Sequence, residues 1–323
     1  MKIEQIITNR SIDGHHANDL VYEWEDQMAE ALGATLHHNH PWHNERYSKW
    51  IAWLLCLMQT NRPAFTFEMC TFRHAGNNKR NIVPCIIDYY LRKPLQVRYF
   101  LWTYRNNPRL LISSREAYEY LLTFKAARGK VLHFPLSLAD RYRVTPGATF
   151  QKDYDLLLVG RQNRVLQQML NDYRQRHPEL RVVEVRDVEG TRWFCCGGQQ
   201  IRPSEGRDNY ITTLRQCRMA LYSTPGIDGG EVRTQGFSQV TPRYLEMLAL
   251  GCHILARYRD NADTEFFQLG RFTHRIETQQ DFDQAMQLAL TTEVDMSQRI
   301  PFLNQHYTST RVEMLEQIIS DIK

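Results

Sequence analysis

Long apolar runs are scarce in this chain of 323 residues. The longest, Trp50-Ile51-Ala52-Trp53-Leu54-Leu55-Cys56-Leu57-Met58, is too short to span a bilayer and reads as one buried helix. No apolar leader precedes it, since Met1-Lys2-Ile3-Glu4 starts directly as a strand. The seven cysteines are odd in number and none forms a Cys-x-x-Cys pair. That argues against a disulfide framework and fits free thiols in a reducing, cytoplasmic compartment. Internal repeats and low-complexity segments are absent. The Gly-rich loop Gly226-Ile227-Asp228-Gly229-Gly230-Glu231 lacks the Gly-Lys-Ser/Thr ending of a phosphate-binding P-loop. No Asp-x-Asp stands at a strand end. Excess charge is also small: 40 basic against 36 acidic residues, net +4, far too weak to argue for nucleic acid. Among the twelve histidines, His37, His38, His40 and His43 cluster around Pro41. They lack a helical i,i+4 pair with a carboxylate, so no metal site is expected there.

What is present is alternation. Strands are expected at Ile3–Thr8, Thr35–His37, Ala64–Glu68, Ile82–Ile87, Leu110–Ser113 and Val131–Leu136. Helical patterns fall near Ala17–Leu32, Glu45–Gln59, Lys93–Arg105 and Arg115–Ala127. This spacing means βαβ units and a parallel sheet. The rhythm breaks at the polar stretch Ala139–Ala148 and restarts at Tyr154–Gly160. A helix (Arg164–Arg174) and a strand (Leu180–Val185) follow, then an irregular Gly-rich region over Arg192–Arg207. Beyond it come a helix near Asn209–Gln216, a strand Met219–Ser223 and a loop Pro225–Gly236. The chain closes with a strand Cys252–Arg257 and helices near Asp281–Leu290 and Thr308–Ile322. The length suits two α/β domains, at 1–145 and 146–305, with a last helix over 306–323. In such sheets ligands bind beyond the carboxyl ends of the strands, so the natural site is a cleft between the domains.

One segment carries chemistry. Thr241-Pro242-Arg243-Tyr244-Leu245-Glu246-Met247-Leu248-Ala249-Leu250-Gly251 reads as a short helix with a marked start and stop. Thr241 suits the N-cap, Pro242 the first helical position and Gly251 the C′ position. Arg243 sits in the first turn, where the helix dipole disfavours a cation, and shares a face with Glu246. A helix start beside a guanidinium is an anion site. A carboxylate one turn on suits ribose hydroxyls. The plainer alternative is a surface ion pair on an ordinary helix.

These residues resemble the donor-site helix of GT-B glycosyltransferases. More narrowly they resemble the group of spore-maturation glycosyltransferase-like proteins, with its Arg-aromatic-x-Glu-x-x-Ala-x-Gly pattern at Arg243, Tyr244, Glu246, Ala249 and Gly251. Asp155–Val159 followed by Gly160-Arg161-Gln162-Asn163 is similar to the start of the second GT-B domain. The resemblance implies two Rossmann-like domains, with the final helix sent back to the first. It assigns Thr241, Pro242 and Arg243 to a diphosphate and Glu246 to the ribose, and it brings Arg161 to the leaving group. It implies a nucleotide sugar as donor, a UDP-sugar first, with no cofactor or metal. The acceptor implied is a hydroxyl of a bacterial surface glycan, free or lipid-linked. Many retaining members carry a Glu eight residues before the second one; here that position is Ser238, which favours inversion. An epimerase of the same fold and a non-catalytic nucleotide-sugar binder are the alternatives.

An inverting transferase needs a base. Asp13, with His15 and His16 beside it, follows the first strand; Asp88 ends the strand Ile82–Ile87. Each also fits a turn or cap role. Finally, Arg92, Lys93, Arg98, Arg105 and Arg109 are interleaved with Tyr89, Tyr90, Tyr99, Phe100 and Trp102. Basic residues beside aromatics suit peripheral contact with the inner membrane. The commoner role of such a stretch is a helix packing its aromatics into the core.

Overall fold

The computed structural model describes residues 1–10, 18–39, 57–69 and 77–322. They form two compact α/β units. Unit 1 comprises Met1–Asp140, Arg233–Gln239 and His306–Lys323, and unit 2 comprises Arg141–Val232 and Val240–Gln305.

Unit 1 runs β1 (Gln5–Thr8), α1 (Asp19–Leu32), β2 (Thr35–His38), β3 (Ala64–Met69), β4 (Ile82–Ile87), α2 (Pro94–Thr103), β5 (Leu110–Ile112), α3 (Arg115–Leu122) and β6 (Val131–His133). Its six strands lie in the order β2-β1-β3-β4-β5-β6, each pair parallel. Strands covered on both faces must be apolar throughout, and β4 and β5 are buried at every residue. The expected helix Glu45–Gln59 lies outside the described residues except at its end, where Leu57 and Met58 are exposed rather than buried.

Unit 2 runs β7 (Tyr154–Leu158), α4 (Arg164–Arg176), β8 (Val182–Val188), β9 (Thr191–Cys196), β10 (Gln199–Pro203), α5 (Arg207–Gln216), β11 (Cys217–Ser223), α6 (Arg243–Ala249), β12 (His253–Arg257), α7 (Ala262–Phe266), α8 (Leu269–Phe272), β13 (His274–Arg275), α9 (Gln279–Thr291) and α10 (Met296–Leu303). The strand order is β10-β9-β8-β7-β11-β12-β13. Here the structure corrects the sequence. The region expected to be irregular holds β9 and β10, antiparallel to their neighbours. Two-residue turns join them, Glu189-Gly190 and Gly197-Gly198, each with positive φ at both positions. That backbone matches the twist of paired strands, so these glycines mark hairpins and not a loop.

The last helix, α11 (Thr308–Ser320), belongs to unit 1 and packs on α1. Its entry is held by main-chain bonds, Leu138 N–H to the His306 carbonyl at 2.9 Å and Thr308 N–H to the Leu138 carbonyl at 3.0 Å. The Met1 ammonium donates to the carbonyls of Ile319 and Ile322, both at 3.3 Å, a cation at the negative end of the helix. Arg311 is buried and donates to the Pro135 carbonyl at 2.8 Å and to His306 Nδ1 at 3.0 Å. Burial pushes its pKa down to about 10. Burial, with Arg311 nearby, likewise pushes His306 and His133 down to about 3.

This fixes a pH dependence. The folded unit keeps both imidazoles neutral, whereas in the unfolded chain they protonate below a pKa of ~6.5. Below that value the unfolded state binds more protons, so stability falls as pH falls. The contribution is whole above about pH 7 and is lost towards about pH 3, at up to ~1.4 kcal/mol per pH unit for each histidine. Glu25 acts oppositely: burial raises its carboxyl to about 7, which lowers stability as pH rises through its range. Urea unfolding at about pH 7 and about pH 5 will show lower stability at the acid value. His133→Gln will flatten that slope.

Candidate functional site

In unit 2 the strand order reverses at β7, with β8 on one side and β11 on the other. The loops leaving β7 and β11 therefore part, and ligands of doubly wound sheets bind where they do so. Several charged residues converge there. Asp228, in the loop after β11, accepts from Arg257 Nε at 2.6 Å and Nη2 at 2.9 Å, at the end of β12. It also accepts from Asn163 Nδ2 at 2.8 Å, in the loop after β7. The Arg257 guanidinium holds its carboxyl below the usual range. Asn163 Oδ1 caps α4, accepting from Val165 N–H at 2.9 Å and Leu166 N–H at 3.1 Å. Arg161 is ion-paired with Glu231 of the same β11 loop.

Arg243 comes to this point from α6. Its Nη1 donates to the Val159 carbonyl at 3.0 Å, directly after β7. The guanidinium lies so close to Gly160 that a Cβ there would sit 2.9 Å from Nη1. The loop after β7 thus carries no side chain where Arg243 approaches it.

The ends of α6 differ in part from the expectation. Pro242 occupies the cap position (φ −56°, ψ −28°), and the helix starts at Arg243. Thr241 does not cap it. Its N–H donates to Tyr222 Oη at 2.9 Å, and its hydroxyl lies 3.4 Å from the same oxygen. The C-terminus is as expected, with Gly251 left-handed (φ +64°). Gly251 N–H bonds the Leu248 carbonyl at 3.3 Å and Cys252 N–H the Met247 carbonyl at 3.0 Å, a Schellman closure. Arg299, itself buried, donates to the carbonyls of Leu248 (3.4 Å) and Cys252 (2.9 Å).

Residues Tyr244 to Ala249 are all buried, Glu246 included at 1% exposure. Its two oxygens are met from α5: one pairs with Arg207, and the other accepts from Tyr210 Oη at 2.8 Å. Burial and this carboxylate together raise the Tyr210 phenol well above its usual range. Arg243 and Glu246 thus share no partner: one goes to the β7 loop, the other to α5. Sequence reasoning did not find Arg207 and Tyr210. Their one signal was a cation and a phenol three apart, on one face of the helix before β11.

In unit 1, Asp13 and His16 lie outside the described residues. The order of the unit 1 sheet reverses at β1, which lies between β2 and β3. Asp88 ends β4 with a left-handed backbone (φ +58°), which is costly for a residue with a Cβ. It accepts a hydrogen bond from Gln239 Nε2. Ser238 is buried in the same unit and donates its N–H to Glu116 Oε2 at 2.9 Å. Its neighbour Phe237 packs on Tyr89 and Tyr120, with ring centroids 5.9 and 5.7 Å apart. Among the described residues no cluster of three or more His, Cys, Asp or Glu could hold a metal ion.

No family model matches this sequence, and no curated protein matches it. Solved structures do match in fold. The Anabaena protein HepE, solved with UDP and glucose, superposes with a TM-score of 0.58 at 8% identity, over 99% of this chain and 100% of its own. AviGT4, a glycosyltransferase involved in avilamycin A biosynthesis, gives 0.59 at 10% identity, over 98% and 96%. UDP-GlcNAc 2-epimerase from Methanocaldococcus jannaschii gives 0.51 at 10% identity, over 99% of each chain. The chain has the GT-B fold. At such identities the likeness speaks to the fold alone.

Two measurements test the supports of α6. As a reference in unit 1, Gly129→Ala, at φ +76° in open space, will cost about 1 kcal/mol. Gly251→Ala will cost about 3 kcal/mol, because its Cβ would also lie 2.6 Å from the Phe150 ring. In a double-mutant cycle by urea unfolding, Arg207→Met strands the Glu246 carboxylate and will cost about 3 kcal/mol. Adding Glu246→Gln will cost at least ~1 kcal/mol less than the sum of the two singles.

Proposed function

We propose that this protein is a metal-independent glycosyltransferase. In this reading it moves a sugar from a nucleoside-diphosphate sugar, a UDP-sugar first, to a hydroxyl of a bacterial surface glycan. The observation that carries the reading is Arg243. It stands at the carboxyl end of β7, where the strand order of unit 2 reverses, against a glycine that leaves the loop backbone bare. A guanidinium there suits a diphosphate, which it can clamp with two parallel bonds. Solved structures of the same fold, HepE among them, hold UDP.

The residues then take the following roles. Arg243 and Arg161 meet the charge that develops on the leaving diphosphate. Arg161 exchanges Glu231 for phosphate as the donor enters. Glu246 keeps its two bonds to α5, and the further lone pairs of its oxygens are left for the ribose. The backbone around Thr241 and Pro242 borders the phosphates. The candidates for the base are Asp13 first, with His16 and Asp88 next. Ser238, where retaining relatives of the resembling group carry a glutamate, supports inversion. The epimerase alternative uses the same donor grip and no acceptor, and glycosyltransferase and epimerase structures alike share this fold.

Incubation with a panel of nucleotide sugars separates these. Release of nucleoside diphosphate that depends on an added glycan acceptor is the expected result. A changed sugar configuration, or free UDP without acceptor, would establish the epimerase. Binding without turnover would establish a non-catalytic binder. Arg243→Met will weaken UDP binding about 10- to 100-fold, read from the thermal shift. Asp13→Asn will abolish transfer and leave UDP affinity unchanged.

A further inference from the structure

The stretch Tyr89–Arg109 holds five of the chain's 40 basic residues and none of its 36 acidic ones, so the remainder of the chain is close to neutral. Its centre is α2, and the helix divides into two apolar faces. Val97, Phe100, Leu101 and Tyr104 are buried in the core of unit 1 with Tyr89 and Tyr90. On the other side Leu95 is 78% and Trp102 57% exposed. Leu95, Arg98, Tyr99 and Trp102 follow i, i+3, i+4, i+7 spacing and so share one stripe. Tyr99 stacks beside Trp102, with centroids 6.0 Å apart. Arg105, just past the helix end, lies over the Trp102 ring at 4.1 Å.

Single exposed apolar residues need no explanation, but a leucine, a tryptophan and a tyrosine in one stripe do. Not every cation of the stretch is available. Arg92 is tied to Glu116 and lies over Phe237, so Lys93, Arg98 and Arg105 carry the exposed charge. We infer that this outer face of α2 docks on an anionic lipid surface. The helix lies in the interface plane, with Leu95 and Trp102 among the acyl-chain boundary and the cations at headgroup level. Charge complementarity selects the occupant. The stretch brings no acid of its own to oppose anionic headgroups, and Trp and Tyr are the residues that settle at a membrane interface. A nucleic acid would use the arginines and the aromatics but has no use for Leu95. The inference is independent of the donor site in unit 2.

The test is co-sedimentation of the full chain with vesicles of phosphatidylcholine alone, and of phosphatidylcholine with phosphatidylglycerol. The expected result is retention by the anionic vesicles only, falling as salt rises. Leu95→Ser with Trp102→Ser will abolish retention. Arg98→Gln with Arg105→Gln will weaken it about fivefold for each cation removed. Unchanged melting temperatures will show that both variants fold. Three results would overturn the inference: no retention of the wild type, equal retention of the Leu95/Trp102 variant, or displacement of the bound protein by a short single-stranded oligonucleotide.

Discussion

A carboxylate held out of water organises unit 2. Helix α6 is buried from Tyr244 to Ala249, so it has no solvent-facing side on which Glu246 could be hydrated. A charge in that position must be matched by partners or it costs several kcal/mol. Arg207 and Tyr210 match it, and in doing so they fix α5 against α6. The same demand acts at the end of the helix, whose last carbonyls also cannot reach water. Gly251 turns the chain back, and Arg299 and the Lys152 ammonium take carbonyls there. Arg299 accepts a pKa pushed down to about 10 for this, since burial works against its charge. These bonds come from α5, from α10 and from the segment before β7, so the helix is held from three parts of the chain at once.

That fixed position gives Arg243 its meaning. A first-turn cation works against the helix dipole, and nothing within α6 rewards it. The compensation lies outside the helix, at the Val159 carbonyl and the bare backbone of Gly160. The arginine is thus placed by the rigid end of a buried helix rather than by a surface loop. Arg161 is the contrast: it sits on the loop and is paired with an acid of the neighbouring loop, a partner it can exchange. One guanidinium is built in and one is adaptable. That combination suits a diphosphate that must be gripped and then released.

Much of this was legible in the sequence where the physics is local. Alternating apolar runs gave the parallel sheets, because strands buried on both faces have no polar side to show. Gly251 was legible, because a left-handed helix end favours glycine. The N-terminus of α6 was misread at Thr241. A threonine before a proline is a good cap by composition, but Tyr222 competes for it, and Tyr222 lies on a strand that local sequence cannot place nearby. The β9–β10 pair was hidden by expectation. Gly197 and Gly198 fall in the stretch expected to be irregular, although as an adjacent pair of positive φ they close a hairpin, as Glu189-Gly190 does before them. Arg207, Tyr210 and Arg299 were invisible, because each acts through a contact far along the chain. Asp13 and His16 lie outside the described residues.

The charge distribution shows the same distinction between local and distant causes. A net charge of +4 looks uninformative. In unit 2 it is uninformative for a reason: Arg161, Arg207 and Arg257 are each paired with an acid, and the pairs cancel. Around α2 less cancels: no acid occurs from Tyr89 to Arg109, and Arg92 turns to Glu116 of α3 for its partner. Segregation, not the total, is what a charged surface can recognise, since the opposite charges of a close pair cancel at a distance. The same helix shows why aromatic content alone could not decide its role. Phe100 and Trp102 are two apart, so on a helix they face different ways. One became core and the other surface, and only the fold could separate them.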